Sequence, residues 1–157
     1  MSATEIGRIA VGEESGRASM SVEAAMAAVT LLDLASVKRK VIEEKGWRQE
    51  IADYAELRYR RFLCMHLLDP GLILVPPPDI DVFWHQHILF TRAYAVDCAR
   101  LFGTYFHHSP ATGDADEAAM MQRGVLETAK FYADAFGQHY FATEPAGFAS
   151  NWMTLFD

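Results

Sequence analysis

The sequence predicts an all-α fold, a single-domain bundle of four to six helices closed by an irregular aromatic C-terminal segment. Three observations carry that expectation. Apolar residues recur at three- and four-residue steps through most of the chain. The segments marked in this way stop at Gly46, Gly103 and Gly137, or at the Asp69-Pro70-Gly71 turn. The 157 residues, 51% hydrophobic and 22% charged, suffice for one buried core without staples.

Residues 1–18 have no charged-then-apolar leader pattern and are expected to form a flexible tail, leaving 19–157 as the domain. From Ser21, the residues Val22, Ala25, Met26, Val29 and Leu32 mark a first helix, with Glu23 suited to its positive end. Ser36 is the expected N-cap of a second, whose apolar side is Val37, Val41 and Ile42 and whose stop is Gly46. A third helix is expected over Trp47–Leu68, with Glu56 four residues before Arg60 in the favourable order. Residues 72–78, Leu-Ile-Leu-Val followed by three prolines, read as an extended connector. One long helix is then expected from about Asp79 to Phe102, broken by Gly103. A last helix over Glu117–Phe136 carries Met120, Met121, Val125, Leu126, Ala129 and Tyr132, with Asp114 or Asp116 as its cap and Gly137 as its stop. Beyond it, Phe141, Phe148, Trp152, Leu155 and Phe156 are too aromatic to be left in water.

A net charge of −7 argues against nucleic acid or an anionic membrane as partner, and no run of eighteen apolar residues occurs. The expected partner is a small molecule, a metal or a protein, a second copy of the chain among them. Lys38, Arg39 and Lys40 are followed at once by Glu43 and Glu44, the pattern of a solvated helix face. Cys64 and Cys98, each within an apolar helical pattern, fit buried free thiols, which places the chain in the cytoplasm as an expectation.

Residues 75–110 hold four of the six histidines, so any chemistry should start there. Laid out at about 100° per residue, Phe83, His87, Phe90, Tyr94 and Cys98 fall on one broad arc, while Gln86, Ala93, Asp97 and Arg100 lie opposite, towards water. Asp81 and His85 stand four apart on the flank, where the carboxylate could fix the imidazole's tautomer. His85 and His87 differ by about 200°, so a shared ion needs a distorted helix or a contribution from His107 and His108 beyond Gly103. Such a set of His85, His87, His107 and His108 would suit a transition metal, zinc or non-haem iron, better than calcium or magnesium. Asp81 would orient His85, and Tyr94 or His87 would move protons. The plainer reading has His87 as a satisfied core residue, Asp81 with His85 as a helix-end bond, and His107-His108 as surface loop. No HExxH, glycine-rich phosphate loop, GxSxG or CxxC signal is present, nor the paired Glu-x-x-His of di-iron bundles.

The same residues carry a resemblance. Asp81 with the run Trp84, His85, His87, Ile88 and Leu89, the steps Thr91-Arg92-x-Tyr94 and Asp97-Cys98, Leu101-Phe102-Gly103, and His107-His108-x-Pro110 resemble the signature of the glycine-rich domain-containing protein-like family, particularly its short bacterial members. The likeness extends back through LLDLASVKRKVIEEKGW and YRRFLCMHLLDP, covering about residues 30 to 137. One departure is Phe90, which stands where the pattern leads to an acidic residue, so the resemblance supplies no acidic ligand at that position. It implies a shared helical fold and a histidine-centred site, with no assigned reaction. The expectation is therefore a small helical protein with a histidine-rich, metal-binding and catalytic pocket, or else a non-catalytic interaction module whose histidines are structural.

Overall fold

A computed structural model describes residues 19–109 and 112–141 of the chain. The expected flexible tail at 1–18, Pro110, and the aromatic positions Phe148, Trp152, Leu155 and Phe156 lie outside the described residues. Among those described, all regular structure is helical: α1 Val22–Thr30, α2 Ala35–Lys45, α3 Gln49–Leu68, α4 Pro78–Leu89, α5 Thr91–Phe102 and α6 Ala115–Phe136. None is long and apolar enough to cross a membrane.

The caps follow the sequence closely. Ser21 accepts from the Ala24 amide at the start of α1, Asp114 accepts from the Asp116 amide at the start of α6, and Gly46, Gly103 and Gly137 close α2, α5 and α6 with positive φ. At α2 the expected Ser36 cap gives way to Leu34, and the Asp33 carboxylate takes the Ala35 amide instead.

α3 is the central element, packed against α1, α2, α4 and α6. Its buried side offers Ile51, Ala55, Tyr59, Phe62 and Met65 to the core shared with Val29 of α1, with Leu34 at the cap of α2, and with Ile80, Phe83 and Trp84 of α4. Arg60 reaches back from α3 to the carbonyls of Val29, which also accepts from the Leu32 amide, and of Leu32, holding the end of α1 to α3.

α6 lies along the 72–77 connector and approaches it closely at Gly124. A Cβ there would stand 3.2 Å from a Val75 methyl and 3.3 Å from the Ile73 carbonyl oxygen. One turn on, the buried Thr128 hydroxyl lies 3.1 Å from that carbonyl and 3.3 Å from the Val75 amide, tying the connector to the helix. The apolar positions Met120, Met121 and Leu126 are exposed rather than covered; nothing in the structure accounts for Leu126.

The long helix expected from Asp79 to Phe102 is two helices. Phe90, with φ −80° and ψ 66°, is the junction: its amide turns back to His87 O in a tightened last turn, and its carbonyl accepts from Tyr94 N to start α5. Two side-chain hydrogen bonds span the bend between residues ten apart, Trp84 Nε1–H to Tyr94 OH (2.8 Å) and His87 Nε2–H to Asp97 Oδ2 (2.9 Å). On an unbroken helix these partners would stand about 15 Å apart along the axis, beyond reach.

Candidate functional site

The bend sorts the histidines into an inner and an outer group. The inner one is His87, 1% exposed and T-shaped to both Tyr59 and Tyr94. A carboxylate only accepts, so the bond to Asp97 puts the proton on Nε2, and Nδ1 accepts from the Tyr59 hydroxyl at 2.7 Å. While these bonds stand, the ring has no lone pair left for a metal. Burial pushes the His87 pKa down and the Tyr59 pKa well up, which keeps both neutral inside the core.

Tyr94 and Asp97 differ from expectation in instructive ways. The Tyr94 hydroxyl accepts from Trp84 and donates to the Phe106 carbonyl at 2.5 Å, so both its functions are used within the fold, and burial raises its pKa. Asp97, expected to face water, is turned inward by the bend onto His87. Gln86, expected on the same outer side, is buried between α2 and α4.

The outer group starts from His108. Asp81 pairs with it rather than with His85: His108 Nε2–H donates to Asp81 Oδ1 at 2.6 Å. The His108 ring lies 4.3 Å from that of Trp84, and Trp84 in turn lies 4.7 Å from Phe106. His66 stacks on the other side of this series, 3.7 Å from Phe106 and nearly parallel; its buried Nδ1 has no partner and burial lowers its pKa.

These rings form one wall of a groove of about 590 Å³. The connector residues Leu72, Ile73 and Val75 form the floor, and Met120 and Met121 of α6 face the rings. His107, exposed and 4.7 Å from the Tyr105 ring, lies at the rim with Asp114, Asp116 and Glu117.

The four expected ligands are thus dispersed. His85 is exposed in a separate hollow between α2 and α4, His87 is sealed in the core, and only His107 and His108 share the groove. Among the described residues no group of three His, Cys, Asp or Glu side chains is arranged to hold a metal ion. Cys64 and Cys98 are buried free thiols, Cys64 pushed up by burial to about 11 and Cys98 raised for the same reason, far from thiolate chemistry.

Sequence reasoning missed a second buried polar centre. Arg58 and Asp79, 0% and 1% exposed, form a two-pronged ion pair of 2.5 and 3.3 Å, and Arg58 also donates to the Tyr140 carbonyl at 2.6 Å. The signal was present: Arg58 falls in the series Ile51, Ala55, Arg58, Phe62, Met65, the spacing of the buried stripe of α3. A cation on such a stripe must bring a buried anion with it.

The profile of the UCP032817-like family matches residues 35–137, which include every element from α2 to α6 and all the groove's lining. Over 110 residues the chain is 29% identical to glycine-rich domain-containing protein 2 of Arabidopsis thaliana, a match covering 66% of this chain and 13% of that protein. The chain therefore corresponds to a small part of that much longer relative. No solved structure matches. With more than half of the chain under the profile and the curated relative bearing the name the signature residues pointed to, the chain belongs to the UCP032817-like family, a glycine-rich domain-containing protein-like group.

Proposed function

We propose that this chain binds a small organic molecule in the groove between the 72–77 connector, the loop after α5 and the first turns of α6, with the His108–Asp81 pair as its polar anchor. The observation that carries the reading is the state of His108. With Nε2–H held by the Asp81 carboxylate, any lone pair of the ring lies on Nδ1, and no described residue occupies that nitrogen. A carboxylate-oriented imidazole on an apolar, aromatic-walled hollow of about 590 Å³ matches the usual make-up of a ligand site, a few polar groups in a mostly hydrophobic space. If the bound molecule reacts, His108 is the group placed to take a proton and Asp81 the group that steadies the charge. His87 and Tyr94, with their polar atoms committed inside the fold, are read as structural.

The test is a fragment screen by NMR on the full chain, repeated on His108→Phe. Fragments that shift Trp84, His108 and Met120 together and lose affinity in the variant support the reading. A screen whose hits all map elsewhere sinks it.

Transition-metal binding is a second reading: His66, His107 and His108 line the same groove, and they would have to draw together to hold an ion. It is checked by metal analysis of untagged protein. Less than about a tenth of an equivalent of zinc or iron, unrestored by adding either ion, would overturn it.

A further inference from the structure

We infer that the groove selects an organic cation with an apolar body, a hydrophobic amine, over neutral and anionic molecules of the same shape. The inference rests on the groove being a ligand site and concerns only which charge it takes.

Among the groove's lining residues every formal charge is negative, Asp114, Asp116 and Glu117, and neither lysine nor arginine is among them. The hydrogen bonds these carboxylates make do not cancel their charge. Asp114 accepts from the Asp116 amide, and Glu117 accepts from the amide and hydroxyl of Thr112; all of these donors are neutral. The positive end of α6 offsets only about half of one charge, so the mouth stays negative by more than two. The whole chain, at −7, adds a field of the same sign.

The interior agrees. The free acceptor is His108 Nδ1, which suits an N–H donor and repels a carboxylate or phosphate oxygen. His66 is held towards its neutral form by burial, so it supplies no compensating positive charge. Trp84 and Phe106 offer aromatic surface, and the faces of such rings attract cations. A phosphorylated or carboxylated ligand would meet three carboxylates and neither lysine nor arginine. An ammonium carried on an aromatic or aliphatic body meets complementary charge at the rim and apolar contact on the floor.

The experiment compares three matched probes on the full chain by calorimetry: 4-phenylbutylamine, 4-phenylbutanol and 4-phenylbutyrate. The amine is expected to bind at least about tenfold more tightly than the acid in dilute buffer, with the alcohol between, and the ratio should shrink in concentrated salt because the rim is exposed. Asp114→Asn and Asp116→Asn remove charge at solvent-facing positions, the first with a residue that caps a helix equally well, and should narrow the ratio by weakening the amine more than the alcohol or the acid. Equal or tighter binding of the acid overturns the charge inference and leaves the ligand site standing. An amine preference that survives both substitutions overturns it as well. If none of the three probes binds with shifts at Trp84 and His108, the ligand site itself is refuted.

Discussion

Asp79→Leu is predicted to remove about 3–5 kcal/mol of stability, because it leaves the Arg58 guanidinium buried without its counter-charge. A domain of ordinary stability has only about 5–15 kcal/mol to lose, so this one change strips at least about a fifth of it. The tyrosine rings around Arg58, those of Tyr54, Tyr132 and Tyr140 at 5.7 to 5.8 Å, offset part of the loss but cannot accept its in-plane N–H groups. Arg58→Met alone strands the carboxylate and the Tyr140 carbonyl in the same way. The double variant should recover most of the loss. Methionine fits among three rings, leucine replaces the acid, and the remaining deficit is the orphaned Tyr140 carbonyl, about 1–3 kcal/mol. Urea unfolding of the four proteins of the cycle, with unchanged m values, measures this directly. A loss below about 1 kcal/mol for Asp79→Leu, or a double variant equal to the sum of the singles, would refute the claim that the pair is a buried, mutually dependent unit.

Three further outcomes follow from the core. Burial holds His87 and His66 below the ordinary imidazole value of 6.5, so the unfolded chain takes up protons first; stability should be full above pH 6.5 and fall as the pH drops below it, with His87→Gln flattening part of that slope in pH-dependent melting. Tyr94→Phe should cost about 2 kcal/mol in chemical denaturation, since it orphans the Trp84 N–H and the Phe106 carbonyl at once; a neutral effect would mean that neither bond persists in solution. Gly124→Val should lower stability by about 1–3 kcal/mol even though glycine is a poor helix former, because its branches have no space against Ile73 and Val75; a higher melting temperature would show that α6 and the connector are not in contact.

The helices were legible because their signals are local: Ser21, Asp114 and three glycines act on their own turns, and the 3.6-residue period of α3 and α6 survives whatever packs on them. The bend at Phe90 was not, since no glycine or proline marks it and its cause is tertiary. It exists where His87 and Trp84 find Asp97 and Tyr94, and a helical wheel drawn through it put Asp97 and Gln86 on the wrong side. The histidine-rich site was half legible. Trp84, Phe106 and His108 of the groove's ring wall came from the predicted stretch, whereas His66 came from α3, and Asp81's partner lies 27 positions away rather than four. No local rule chooses between the two.

The bend also gives a physical meaning to position 90, where the resemblance raised the expectation of an acidic residue and the chain has Phe90. Phe90 is the N-cap of α5, and no side chain caps that helix. An acid here would stand at the positive end of α5 and could accept one of its open amides, worth about 0.5–2 kcal/mol. Phe90 instead contributes a half-buried ring packed on the core. Phe90→Ala loses that ring and gains nothing, whereas Phe90→Asp loses the ring and gains the cap. The aspartate variant should therefore be more stable than the alanine variant by about 1 kcal/mol, less in concentrated salt. An aspartate variant no more stable than alanine would exclude the cap. If the difference appears, an acid at this position belongs to the architecture of the bend rather than to the groove.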